Sequence, residues 1–92
     1  MMTIPSRANI LGDVAAILAN HLGVSPSTSI DEHTQFFSDL GLASIDAVVL
    51  SEAIQEHYGR PLPFDELMAE IGRRTERDLS IGELVTFISE NL

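Results

Sequence analysis

The sequence predicts an all-α protein, a four-helix bundle of three longer helices and one short helix with a long first loop. Apolar residues recur at the three- and four-residue spacing of amphipathic helices, and residues that begin or end helices separate these stretches. No segment shows the alternation of apolar and polar residues that marks a strand. With 92 residues and no internal repeat, we expect a single domain over residues 1–92.

The first helix is expected over residues 6–22, because its apolar residues fall on one stripe. That stripe consists of Ile10, Val14, Ile17, Leu18 and either His21 or Leu22. Gly23 stands where a helix C-cap is expected, and the serine-rich segment 25–29, with its proline, favours turns over further helix. A long surface loop follows, and we expect its apolar pair, Phe36 and Phe37, to hold it on the core.

The second helix is expected over residues 44–58. At its start we expect the Ser44 hydroxyl to accept from unpaired backbone amides, with Asp46 near the positive end of the helix dipole. Gly59 ends this helix, and Pro63 is suited to open a short third helix. The inward-facing residues of the third helix are expected to be Phe64, Leu67, Met68 and Ile71.

The segment 73–78 is fully polar and holds three of the five arginines, so we expect an exposed connection there. Ser80 followed by Glu83 is a capping box, which predicts the start of the last helix. One face of this helix is apolar, formed by Ile81, Leu84, Val85, Ile88 and Leu92.

Charge and composition exclude several classes of function. Fourteen acidic residues against five arginines give a net charge of -9 at pH 7, which repels nucleic acid and anionic membranes and favours basic patches on other proteins. No apolar run is long enough for a membrane span or a secretory signal, so we expect a cytoplasmic protein. We also expect a monomer. Without cysteine there is no disulfide framework, thiolate metal site or thiol nucleophile.

No residues form a recognised catalytic or metal-binding pattern. His21, His33 and His57 are far apart on different expected elements, and the acidic loop over residues 29–40 lacks the ligand pattern of an EF-hand. Ser44 lies outside a nucleophile elbow, and no phosphate-binding glycine loop is present. We therefore expect a protein that is not an enzyme and holds no metal.

Ser44 is still notable, because a phosphate on its oxygen would lie at the positive end of the second helix. This helix is apolar on two sides. One side carries Ala47, Leu50, Ile54 and Tyr58, and the opposite side carries Ile45, Val48, Val49, Glu52 and Glu56. The second side is either a docking surface or, if the helix is central in the bundle, a further buried face.

Residues 37–48, which read Phe-Ser-Asp-Leu-Gly-Leu-Ala-Ser-Ile-Asp-Ala-Val, resemble the attachment motif of acyl carrier proteins. In that motif an acid-Leu-Gly run leads into a serine followed by an apolar residue. The order of the helices, the long first loop and the short acidic third helix resemble the same family over most of the chain. The resemblance implies that Ser44 receives 4'-phosphopantetheine from coenzyme A, through a magnesium-dependent phosphopantetheinyl transferase. The thiol of this arm would carry an acyl, polyketide or aminoacyl group as a thioester.

The partners implied are the transferase and the acyl- or aminoacyl-loading ligases and synthases that have basic docking patches. We expect the docking residues to be Ile45, Asp46, Val48, Val49, Glu52 and Glu56. Small residues such as Ala47 and Ala53 are expected to leave room for a cargo chain between the helices. An alternative is an unmodified helical adaptor that acts by protein interaction alone, and a third hypothesis, a hydrolase that uses Ser44, lacks a base partner.

The sequence departs from the family pattern at two positions. Carriers of fatty-acid pathways usually have Asp immediately before the serine, where this chain has Ala43. Val49 stands where an acid is common, so the surface beside Ser44 is more apolar than usual. Both departures concern the surface that a transferase or another partner would contact. The segment 73–78 is also longer than the link of a minimal carrier.

Overall fold

The chain forms four α-helices in a computed structural model that describes residues 5–25 and 27–92. The helices are α1 (Arg7–Leu22), α2 (Ser44–Tyr58), α3 (Phe64–Gly72) and α4 (Ile81–Asn91). The expected all-α fold with one short helix is confirmed. In the described ranges the pairing of extended backbone is limited to an isolated bridge between Gln35 and Ser80. Pro26, part of the expected turn after α1, lies outside the described residues.

The core lies where α1 packs against α2 and α4. Every buried residue in the described ranges is apolar, and such burial stabilises the fold by about 1.5–3 kcal/mol for each large side chain. The buried residues of the first, third and fourth helices include Ile10, Val14, Ile17, Leu18, Phe64, Leu67, Ile71, Ile81, Leu84, Val85 and Ile88. These were the expected inward faces. Leu22, Met68 and Leu92 are the exceptions, because they are partly buried at the edge of the core.

None of the helices in the described part of the chain has the length and apolar content needed to cross a bilayer.

The helix ends follow the local sequence signals. The Ser6 hydroxyl accepts a hydrogen bond from a first-turn amide of α1, and Ser80 and Glu83 form the expected capping box at α4. Gly23 and Gly59 adopt φ angles of 70° and 67°, in the left-handed region that glycine tolerates best, and they end α1 and α2.

Backbone hydrogen bonds attach the long first loop to the start of α4. They run from the amide of Phe36 to the Leu79 carbonyl (2.8 Å), from Ile81 to Thr34 (2.8 Å) and from Gly82 to Glu32 (2.9 Å). Phe36 is thereby placed inside the core, where it is 1 % exposed and makes an edge-to-face contact with Phe37. The expectation that this aromatic pair holds the loop on the core is confirmed.

The segment 73–78 is only in part the exposed connection that we expected. Four of its residues are exposed, but Arg74 and Asp78 are half-buried. The Arg74 guanidinium forms ion pairs with Glu70 of α3 and Glu83 of α4 and also donates to the Asp78 carbonyl. The expectation was wrong for these two residues because their partners lie on other elements, which a local reading of a polar run does not reveal.

The Asp78 carboxylate connects this segment to the long loop. It accepts hydrogen bonds from the amide of Phe37 (2.9 Å), from the amide and hydroxyl of Ser38 (3.2 and 2.7 Å) and from the amide of Leu79 (2.8 Å). Partial burial by itself would raise the pKa of Asp78, but these hydrogen bonds stabilise the charged form more strongly, and its pKa lies below the ordinary value. The ionised carboxylate is therefore part of the native structure.

Replacing the Asp78 carboxylate should lower the stability of the fold and also reduce the dependence of that stability on acidic pH. Because the pKa of Asp78 is lowered by folding, its stabilisation is present above the ordinary aspartate pKa and is lost as pH falls through the native value. We expect Asp78→Asn to lower the free energy of unfolding at neutral pH by about 1–3 kcal/mol, since an amide cannot accept all four bonds. The loss of stability on acidification should also be shallower than in the wild type. Urea unfolding at neutral and acidic pH measures both.

Glu76→Gln removes an exposed acid from the same segment and serves as the control for this change. It should alter stability by no more than about 0.5 kcal/mol. Equal stability of Asp78→Asn and Glu76→Gln would contradict a structural role for the Asp78 carboxylate.

Candidate functional site

Ser44 is the first residue of α2 and is exposed. The loop before it turns sharply, with the amides of Asp39 and Leu40 both donating to the Gln35 carbonyl. Gly41 then adopts a φ angle of 67°, which a side chain would strain. The turn brings the chain to the surface just before the helix begins, and it presents the Ser44 hydroxyl to solvent.

The hydroxyl of Ser44 does not cap the helix, contrary to the expectation from sequence. Ala43 holds the N-cap position in extended conformation, so Ser44 is already inside the first turn. The Asp46 carboxylate reaches back instead and accepts a hydrogen bond of 2.8 Å from the Ala43 amide. Within the described ranges Ser44 Oγ has no hydrogen-bond partner, which leaves this oxygen available for chemistry.

A cleft of about 420 Å³ opens beside Ser44, between α2, α3 and the segment 73–78. Its lining residues are Phe37, Ser44, Val48, Met68, Ile71, Gly72 and Arg77. The wall is mainly apolar. We expected space beside Ala47 and Ala53. Neither lines this cleft, but Ala53 lines a separate cleft of about 350 Å³ between α1 and α2. Val48, one position further along α2 than Ala47, faces the cleft instead.

The two sides of α2 differ as expected. Ala47, Leu50 and Ile54 are buried, together with Ala53, whereas Ile45, Val48 and Val49 are 67 %, 48 % and 37 % exposed. The alternative in which the bundle buries both sides is therefore wrong. Glu52 and Glu56 are exposed further along the helix. Asp46 is the residue of the expected docking set that is partly buried, because its carboxylate is turned toward the Ala43 amide.

The C-terminal end of α2 is fixed to α1 by contacts that the sequence did not indicate. The Tyr58 hydroxyl donates to Asp13 Oδ2 at 2.9 Å, and His57 Nε2 lies 3.4 Å from the same oxygen. Burial is the larger cause and the contact with Asp13 the smaller cause of a raised pKa of Tyr58.

His57 and His21 stand in the last turns of their helices, and within the described ranges no group of His, Asp and Glu could hold a metal ion.

Comparison with known proteins identifies the family. The family model for the phosphopantetheine attachment site matches residues 12–88. The acyl carrier proteins of Bradyrhizobium sp. (strain ORS 278), Nitrobacter hamburgensis and Rhodopseudomonas palustris (strain TIE-1) are each 33 % identical over 78 residues. These matches cover 85 % of this chain and 87 % of each relative. No solved structure gives a significant match.

The chain belongs to the phosphopantetheine attachment family, the class of carrier proteins that hold a covalent cofactor. Within that class it is a member of the acyl carrier protein family. Acyl carrier proteins are carriers and not enzymes, and the matched domain is the one to which 4'-phosphopantetheine is attached. The site beside Ser44 fits this group, since it combines an exposed hydroxyl that lacks a hydrogen-bond partner, an apolar wall and the cationic side chain of Arg77.

The missing cap at Ala43 should be measurable in the stability of the protein. Ala43→Asp and Ala43→Ser each place an acceptor at an N-cap with suitable backbone geometry, so each should raise the free energy of unfolding by about 1 kcal/mol. The serine variant separates the hydrogen bond from the added charge. Chemical unfolding measures both variants, and an unchanged stability in both would contradict the inference that α2 lacks a stabilising cap at Ala43.

Proposed function

We propose that this acyl carrier protein forms one carrier domain over residues 1–92 and holds its cargo as a thioester on a 4'-phosphopantetheine arm attached to Ser44. The observation that carries the proposal is the exposed Ser44 hydroxyl, which has no hydrogen-bond partner within the described ranges and stands at the mouth of an apolar cleft. The cofactor supplies a thiol, which a chain without cysteine does not have.

Attachment is a phosphoryl-group transfer from coenzyme A by a phosphopantetheinyl transferase. A bond forms between Ser44 Oγ and the phosphorus that bears the pantetheine, and the bond from that phosphorus to the bridging oxygen of the pyrophosphate breaks. The adenosine bisphosphate leaves with the electron pair, and a base of the transferase takes the hydroxyl proton. The exposure of Ser44 favours this reaction, since the hydroxyl can enter another protein's active site without unfolding of α2.

The lining of the cleft supports an acyl or polyketide cargo over an aminoacyl cargo. Four of the lining side chains are apolar: Phe37, Val48, Met68 and Ile71. A hydrocarbon chain gains about 25 cal/mol for each Å² that such a wall removes from water. A charged amino group would lose its hydration there, and no carboxylate is among the described residues that line the cleft to pair with it.

The exposed side of α2 is the surface we propose for docking of partner enzymes. Ile45, Val48 and Val49 supply its apolar centre, and Glu52 and Glu56 extend it with negative charge. The partners that fit are the transferase and the cargo-loading ligases and synthases, each with an apolar patch rimmed by basic residues. Asp46 belongs to this proposed surface by position, although its carboxylate is turned toward the Ala43 amide.

Attachment at Ser44 can be tested by intact mass after incubation with coenzyme A, magnesium and a phosphopantetheinyl transferase of broad specificity. We expect the wild type to gain one phosphopantetheinyl group and Ser44→Ala to gain none. Ser51→Ala removes a hydroxyl from the same helix and should be modified like the wild type, because Ser51 is engaged with the Val48 carbonyl.

Two results would contradict the proposal. If Ser44→Ala still gains the group, the attachment site lies elsewhere. If the wild type gains none with this enzyme or with transferases of the source organism, the unmodified adaptor becomes the better hypothesis.

The docking surface can be tested through the same reaction. We expect Ile45→Ser to lower kcat/KM of the transferase about tenfold, equivalent to about 1.4 kcal/mol, because it removes the most exposed apolar side chain next to Ser44. The free energy of unfolding should change by no more than about 0.5 kcal/mol, as expected for an exposed position. Ala16→Ser makes a similar exposed change on α1 and should leave kcat/KM unchanged. Equal rates for the two variants would argue against docking at Ile45.

A further inference from the structure

The cleft beside Ser44 has one charged side chain among the described residues that line it, and this is Arg77. Arg77 belongs to the polar segment 73–78, which the resemblance to carriers left without a role. Its side chain is exposed, whereas neighbouring Arg74 is engaged with two glutamates. The ion pairs found within residues 5–25 and 27–92 use Arg7, Arg74 and His57, and none of them uses Arg77.

The backbone around Arg77 is held in place on both sides. Arg74 attaches the segment to α3 and α4, and the Asp78 carboxylate attaches it to Phe37 and Ser38 of the long loop. The Asp78 carboxylate is engaged by Phe37, Ser38 and Leu79, and the ion pairs of the described residues include none between it and Arg77. The backbone that carries Arg77 is therefore already ordered beside the cleft. Little backbone entropy is lost when the Arg77 guanidinium binds an anion.

We propose that Arg77 pairs with the phosphodiester of the arm on Ser44 and holds the root of the arm at the mouth of the cleft. This inference rests on the proposed attachment at Ser44. The phosphodiester would be bonded directly to Ser44 Oγ, which places its negative charge beside the cleft that both Ser44 and Arg77 line. In a protein of net charge -9 few other groups could offset that charge, and a guanidinium presents paired donors that match two phosphate oxygens.

Arg77 is thus a positioning residue for the arm. By holding the phosphodiester on the side of α3, it favours arm conformations that extend along Met68 and Ile71 over conformations that point into solvent. A partner enzyme with its own basic groups can compete for the phosphodiester and release the arm. The ion pair is exposed, so it should weaken as ionic strength rises.

The test compares ¹H–¹⁵N NMR spectra of the unmodified and modified protein. In the wild type, modification should shift the Arg77 Nε–H signal and the amide signals of Met68 and Ile71, and high salt should reduce the Arg77 shift. Arg77→Gln should be modified completely, as verified by mass, but should lose the shifts at Met68 and Ile71. Arg77→Lys should retain part of them, because it keeps the charge without the paired donors.

Arg73→Gln is the matched control, since it removes the same charge from an exposed position that does not line the cleft. It should behave like the wild type. If Arg77→Gln gives the same modification shifts as Arg73→Gln, or if the wild-type Arg77 Nε–H signal does not move on complete modification, the inference is overturned. Failure of the wild type to become modified at Ser44 would overturn the attachment proposal itself, and the mass measurement separates the two failures.

Discussion

The arrangement of this protein depends on the attachment of its long first loop to the chain just before and within the first turn of α4. A loop of this length is entropically costly to order, and hydrogen bonds from Phe36, Ile81 and Gly82 offset part of that cost. The Asp78 carboxylate adds bonds to Phe37 and Ser38. Because these bonds seat Phe36 in the interior, they make the loop part of the hydrophobic core.

This attachment also determines where Ser44 lies. The turn before α2 runs from Gln35 to Gly41 and starts from a loop that is already held on the core. The start of α2 is therefore held at a defined place relative to α3. The same loop supplies Phe37 to the cleft beside Ser44, and the segment 73–78, which holds the loop, supplies Arg77 to the same cleft. A contact that stabilises the fold therefore shapes the candidate site as well.

The sequence predicted the helices well because their signals are local. Periodic apolar residues, the glycines at the ends of α1 and α2 and the capping box at Ser80 depend on neighbours within one or two turns, and the structure confirms them. The start of α2 was predicted less well. Ser44 was expected to accept from first-turn amides, but Ala43 holds the N-cap position and Ser44 lies inside the helix, a difference that backbone geometry decides.

The contacts of the segment 73–78 could not be predicted in the same way. Arg74 and Asp78 find partners on α3, α4 and the first loop, and such pairings between distant parts of the chain leave no periodic trace in one sequence. The residues of the candidate site differ in the same way, because some could be predicted from local patterns and one could not. Ser44 and the exposed side of α2 were visible from motif and periodicity, whereas Arg77 came to the site through the tertiary fold.

In the proposed docking, net charge determines the rate of encounter with a partner, whereas the apolar side chains of the surface determine which partner binds. A net charge of -9 accelerates encounter with any basic surface, but long-range charge of this kind discriminates little between enzymes. In the proposed surface, contacts at the exposed side chains of Ile45 and Val49 would act at short range. A partner that places a basic side chain opposite Val49, where many carriers have an acid, would bury that cation without a counter-charge, and an unpaired buried group costs about 1–3 kcal/mol. A partner with an apolar residue there avoids this cost, so the substitution that makes the surface more apolar also selects against enzymes suited to acidic carriers.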